Sequence, residues 1–168
     1  MQVVIEKIKL QQACIDDLNY LLDIMSKIDK KREDMIIYDD FRLSHSKNSL
    51  EEVLNSKTEN ELIIIAKDNE KIIGILNLIF SPPDYIFFVD KFIYIKYLYV
   101  DQDKLKTLED REYISKELFD HAINISKRNG FKYICGDVLT GDNELEGLFK
   151  TNEMKAYRSR FCKKLNKI

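Results

Sequence analysis

Apolar and polar positions follow several distinguishable rhythms along this chain, and each rhythm predicts an element. From Val3 to Gln11 apolar residues alternate with polar ones (Val3, Ile5, then Ile8, Leu10), which predicts a first strand. At Leu18 the spacing widens to three and four (Leu18, Leu21, Leu22, Met25, Ile28). That predicts an amphipathic helix, with Asp16 and Asp17 in the first turn, where acids complement the helix dipole. Lys30 to Lys47 is polar, with Tyr38, Phe41 and His45 interspersed, and reads as a loop or a broken helix. Asn48 or Ser49 can cap a short helix with Leu50, Val53 and Leu54 as its apolar face.

Two isoleucine-rich runs come next, Leu62 to Lys67 and Lys71 to Phe80, separated by the turn-like Asp68-Asn69-Glu70. They predict a β-hairpin, which Pro82-Pro83 ends. Tyr85 to Val89 reads as a short strand or an apolar flap. Phe92 to Val100 is the longest aromatic and β-branched run. Ile114, Leu118, Ala122 and Ile125 then mark one stripe of a helix from about Glu112 to Arg128, which Asn129-Gly130 closes with a left-handed residue. Phe131 to Val138 predicts a strand, Asp142 to Thr151 a short helix, and Tyr157 to Leu165 a closing strand.

The order β-α-α-β-β-β-α-β-α-β places hairpin strands first and a single βαβ crossover later. It predicts a mixed α/β fold of three layers, with helices on both faces of a mixed central sheet. The 168 residues suit one domain, 1–168. Charged residues make up 33% and the net charge is −2, so nothing in the charge pattern favours nucleic acid. The longest apolar runs are about half of the roughly 20 residues a membrane span needs, and no signal-peptide core opens the chain. A cytoplasmic protein with no nucleic-acid or membrane partner is expected. Cys14, Cys135 and Cys162 are odd in number and far apart, and only His45 and His121 accompany them, so neither a disulfide framework nor a metal site is expected.

Four stretches carry a resemblance. "IKLQQACIDDLNYLLDIM", "LIIIAKDNEKIIGILNLIF" with Gly74, "IYIKYLYVD" and "HAINISKRNGFKYICGDV" together resemble the GNAT superfamily of acyl-CoA-dependent N-acetyltransferases across nearly the whole chain. The resemblance implies a sheet whose fourth and fifth strands splay apart, with acetyl-CoA as co-substrate in the gap and no metal. It implies that backbone groups of Leu98, Tyr99 and Val100 pair with the pantetheine arm. The family's Q/R-x-x-G-x-G/A motif, where glycine lets phosphates approach a helix N-terminus, falls on Asp110, Tyr113 and Ser115. The expected cofactor-binding stretch is thus Arg111, Glu112, Tyr113, Ile114, Ser115 and Lys116, a degenerate motif without glycine, with further charge from Lys104 and Lys106.

By the same resemblance Tyr94 occupies the position of the catalytic glutamate, and Phe149 that of a tyrosine that protonates the leaving thiolate. Asp142 and Asn143 match a pantetheine-contacting asparagine, and equally suit a helix N-cap. Tyr38, Phe41 and Tyr85 fall on the acceptor side, where Tyr85, Phe87 and Phe88 could equally form a homodimer contact. The function implied is transfer of an acetyl group from acetyl-CoA to a primary amine of a small-molecule or peptide acceptor. The glycine-free motif and Phe149 point to the alternative, a GNAT-like binding or regulatory module without efficient CoA binding.

Overall fold

The computed structural model describes residues 3–8, 15–35, 60–81 and 92–158. Within them the chain runs β1 (Val3–Ile8), α1 (Ile15–Asp34), β2 (Glu61–Asp68), β3 (Lys71–Phe80), β4 (Phe92–Val100), α2 (Leu108–Arg128), β5 (Tyr133–Gly136) and α3 (Asn143–Thr151). The expected short helix at 48–54 and strand at 85–89 lie outside the described residues, as does most of the closing strand at 157–165.

The five strands pair in sequence order, β1-β2-β3-β4-β5, antiparallel except for the parallel β4–β5 pair. The β2–β3 hairpin closes through Asn69 and Glu70, both with positive φ (48° and 63°). A two-residue turn of this kind matches the strands' own twist. The parallel pair needs a crossover, and α2 supplies it.

Alternation along the strands then divides the core in two. Ile64, Leu76, Leu78, Ile93, Ile95, Leu98 and Val100 face α2 and α3, meeting Ile114, Leu118, Ala122 and Phe149. Ile63, Ile65, Ile72 and Ile75 face α1, meeting Leu18, Leu21 and Ile24. Helices thus cover both faces of a mixed sheet, the expected three layers. Gly74 lets α2 approach β3: a Cβ there would lie 2.8 Å from Ile114 Cγ2 and 3.1 Å from Leu118 Cδ1.

Three boundaries differ from the expected ones. α1 continues through Lys30–Asp34, where the polar sequence suggested a loop or a break, because Lys31 and Arg32 find partners on distant elements. α2 begins at Leu108, a turn before Glu112, because Thr107 caps it. β5 is only four residues, because it pairs with β4 no further than Gly136.

Candidate functional site

The site grows from one irregularity in β4. Ile95 pairs with Leu78 and Tyr97 with Asn77, which leaves Lys96 without a partner in β3. On the other edge, pairing with β5 ends at Ile95↔Gly136, one residue earlier. An extra residue bends its strand and re-aims the side chains beyond it. From Lys96 onward β4 therefore keeps one neighbour, β3, and among the described residues its other edge carries backbone groups with no strand partner. The fourth and fifth strands splay, as the resemblance implied.

Leu98 and Val100 are buried under α2, while Tyr99 packs on the α1 side. Their side chains are structural, so what this stretch offers a ligand is its backbone. Burial, with Asp101 and Asp103 close by, pushes the Tyr99 hydroxyl up to about 12.

The extra residue also moves the face on which β4's tyrosines lie. Tyr94 comes before it and Tyr97 and Tyr99 after it, and the polar contacts of the first two lie on the α1 side. Tyr94 donates to Asp137 Oδ2 at 3.3 Å, just beyond the end of β5, and Arg158 meets Asp137 Oδ1 at 3.4 Å. Burial first, then Asp137, pushes the Tyr94 hydroxyl up to about 12, so near neutral pH it is a proton donor and a poor base. Tyr97 donates to Asp29 (3.1 and 3.2 Å), and its ring lies 5.0 Å from the Arg32 guanidinium and 5.5 Å from Lys96 Nζ. Arg32 also donates to the carbonyl of Lys96 at 2.7 Å. Lys96 Nζ reaches Glu61 Oε1 at 3.4 Å, and Asn77 Nδ2 donates to that same oxygen at 2.6 Å.

At the far end of the gap, three segments meet. Lys31 of α1 pairs with Asp142 (2.9 Å) and Glu144 (3.3 Å), and Gln102, just after β4, donates to Glu144. Asp142 is the N-cap of α3, accepting from Leu145 N–H at 3.2 Å. Asn143 is the exposed first residue of that helix.

The connection from β4 to α2 is built on Asp101. Its buried carboxylate accepts from Tyr20 (2.7 Å), from the N–H groups of Asp103 and Lys104 (3.0 and 3.1 Å) and from Lys104 Nζ (3.0 Å). Burial alone would raise this carboxyl's pKa, but Tyr20 and Lys104 outweigh it and hold it below the usual carboxylate range. Lys104 Nζ also donates to the carbonyl of Ile72 at 2.8 Å, which ties the loop to β3.

α2 then starts on its own cap. Thr107 Oγ1 accepts from Asp110 N–H at 3.1 Å and donates to Asp110 Oδ2 at 2.7 Å, with Glu109 and Asp110 in the first turn. The expected phosphate-binding stretch therefore begins beyond the helix's free N–H groups. Tyr113, Ile114, Ser115 and Lys116 lie in its second turn or later, where amides bond to carbonyls four residues back. Tyr113 is 47% exposed and turned to solvent. Ile114 is fully buried, and Ser115, also buried, accepts from Asn152 at 2.9 Å. Glu112 accepts from Thr151 at 3.3 Å, Arg111 Nε donates to the Thr107 carbonyl at 3.3 Å, and Lys116 is exposed.

Phe149 sits where the resemblance put a tyrosine. Its Cζ, the atom that would carry a hydroxyl, lies 2.6 Å from where a Cβ on Gly136 would be. The ring fills the space beside β5 left by that glycine, so α3 presents apolar surface at the point of splaying.

Tyr38, Phe41 and Tyr85 lie outside the described residues. Of the polar groups gathered here, only Tyr94 is among the candidates the sequence offers; Asp137, Glu61, Asn77, Lys96, Asp29 and Arg32 come together only in the fold. One signal was available for α2: Thr107-Leu108-Glu109-Asp110 has the spacing of a capping box. Among the described residues, no group of three or more His, Cys, Asp or Glu could hold a metal, and no helix is long and apolar enough to cross a membrane.

No protein-family model and no curated protein matches this chain. Solved structures do. An aminoglycoside acetyltransferase, meta-AAC0020, from an uncultured soil metagenomic sample is 18% identical with a TM-score of 0.59, covering 98% of this chain and 97% of its own. A mutant of the BH1408 protein from Bacillus halodurans is 16% identical with a TM-score of 0.71, covering 97% and 99%. A Clostridium acetobutylicum protein described as a predicted acetyltransferase, solved with acetyl-CoA, is 16% identical with a TM-score of 0.58, covering 98% and 96%. At these identities the likeness is one of fold: the chain shares its three-layer fold with these solved structures, two of them described as acetyltransferases.

Proposed function

We propose that this chain is an N-acetyltransferase that moves an acetyl group from acetyl-CoA to a primary amine by direct attack. The observation that carries the proposal is the edge of β4 from Tyr97 to Val100, which has no strand partner among the described residues, with Tyr94 and Asp137 facing each other where the strands part. An unpaired strand edge recognises an extended, amide-containing arm by backbone hydrogen bonds, whatever the side chains are. Leu98, Tyr99 and Val100 provide that edge. Acetyl-CoA supplies the thioester carbonyl that the amine attacks.

Within this reading the chain's own groups divide the work. Asp137 is an exposed carboxylate at the mouth, able to take the proton the amine must lose, directly or through a water. Tyr94, held protonated, fixes Asp137 by donating to it. The phosphates are met by side-chain charge, from Lys106, Arg111 and Lys116, because α2's own cap and first-turn acids occupy its positive end. Phe149 closes the apolar side and leaves the thiolate to be protonated by solvent.

The alternative, a binding or regulatory module without transfer, draws on that self-capped helix and on Phe149. The two readings separate by acetyl-CoA turnover across a panel of primary amines. Transfer predicts that Asp137→Asn lowers kcat/KM by about 10²-fold or more. Tyr94→Phe should cost less, since Asp137 keeps Arg158. No turnover with any amine, or turnover that Asp137→Asn leaves unchanged, contradicts the transferase as described.

A further inference from the structure

Beside the splay point, on the α1 side, lies a buried polar group with one acceptor left unanswered. Asn77 is fully buried on β3, opposite Tyr97. Its Nδ2 is spent on Glu61 Oε1 at 2.6 Å, and its Oδ1 has no hydrogen-bond partner. A buried carbonyl oxygen without a donor is rare in folded proteins, and such atoms mark places where a water or a ligand completes the structure. The neighbouring cation does not complete it. Lys96 Nζ stands 3.4 Å from Glu61 Oε1, well beyond the 2.7–2.9 Å usual for a charge-assisted bond. Lys96 is also the extra residue of β4, so its backbone is not locked into the β3 ladder at that point.

A primary ammonium is the ligand this arrangement fits. It carries three N–H donors on one small head and a positive charge for Glu61. In water near neutral pH, a primary alkyl amine arrives in that protonated form. We infer that Asn77 and Glu61 form a recognition point for the acceptor's ammonium group, and that Lys96 is a built-in stand-in which the acceptor displaces. The acceptor is then an alkyl amine that arrives charged, not an aromatic amine that is neutral at pH 7. The inference rests on the transferase reading only in calling this cation the acceptor.

Displacement makes two variants move in opposite directions, which a merely structural ion pair would not. Isotope-labelled protein is titrated with n-butylammonium chloride and, separately, with 1-butanol. The Asn77 side-chain amide signal, identified by its loss in Asn77→Leu, is followed by NMR. The wild-type signal should shift to saturation with n-butylammonium and not with 1-butanol. Glu61→Gln should raise the midpoint about tenfold or more, the effect of losing a charged hydrogen-bond partner. Lys96→Met should lower it about threefold, the effect of removing a long, half-buried competing ion pair. An Asn77 signal unmoved by n-butylammonium, or both variants moving the midpoint the same way, overturns the inference. If Lys96→Met does not fold, the wild-type and Glu61→Gln titrations still decide.

Thermal unfolding of the same samples with acetyl-CoA keeps the two claims apart. Stabilisation by acetyl-CoA with no Asn77 response removes the ammonium site and leaves the transferase reading standing. A saturating Asn77 response without acetyl-CoA stabilisation keeps the ammonium site and removes the transferase reading.

Discussion

Asp101 shows how much one residue can organise. It comes directly after the last residue of β4, and its carboxylate gathers Tyr20 of α1, two loop N–H groups and Lys104. A glycine-rich loop reaches a helix N-terminus by giving its backbone freedom; this loop does so by wrapping around an anion. Removing one partner of such a buried group costs about 1–3 kcal/mol, so Asp101→Asn should lower the unfolding free energy at pH 7 by about that much. The pH dependence has a defined sign. The folded carboxyl has a lowered pKa, so its contribution is present above the unfolded value of about 4 and fades as pH falls through the folded one. Urea unfolding at pH 7 and pH 3 should therefore show the gap between wild type and variant shrinking in acid. An equal gap at both would mean that the charge is not what Asp101 contributes.

At the scale of elements, α3 packs closely against β5 through Phe149 and Gly136. A Cβ on Gly136 would meet Phe149 Cζ at 2.6 Å and Ile95 Cβ at 3.4 Å. Overpacking of this kind costs about 1–3 kcal/mol, so Gly136→Ala should destabilise by that amount. The same mechanism predicts a coupling. Phe149→Leu frees the space, so it should cost less in the Gly136→Ala background than in wild type. Additive costs in chemical denaturation would show that Phe149 is not what the alanine meets. The same elements show what the sequence made legible. The hairpin and β4 were readable because alternation and turn residues are local signals. The end of α1 was not, because Lys31 and Arg32 are held by residues 111 and 64 positions away. The start of α2 was missed because Leu108, 61% exposed, breaks the apolar stripe although Thr107 and Asp110 form a cap.

Across the whole molecule, the fold and the site differ in how they are encoded. The layers result from which residues are apolar and at what spacing, so the sequence carried them nearly complete. The site depends on one leftover residue, Lys96. Simple alternation from Tyr94 would put Lys96 on its face and Tyr97 and Tyr99 opposite. The register shift instead brings Tyr97 to the α1 side, with Asn77 and Glu61 beside it. No pattern in a single sequence marks that shift, and Asp137 gains its place only because β5 stops pairing at Gly136. The shift also opens the gap, and a gap that takes an extended arm by backbone pairing should take acetyl-CoA even without glycines at α2. Thermal unfolding with and without acetyl-CoA tests this directly. At 100 times its dissociation constant the ligand adds about 2.7 kcal/mol, a rise in Tm of about 5–10 °C for a chain of this size. That rise is the expected result; an unchanged Tm at millimolar acetyl-CoA would contradict the account.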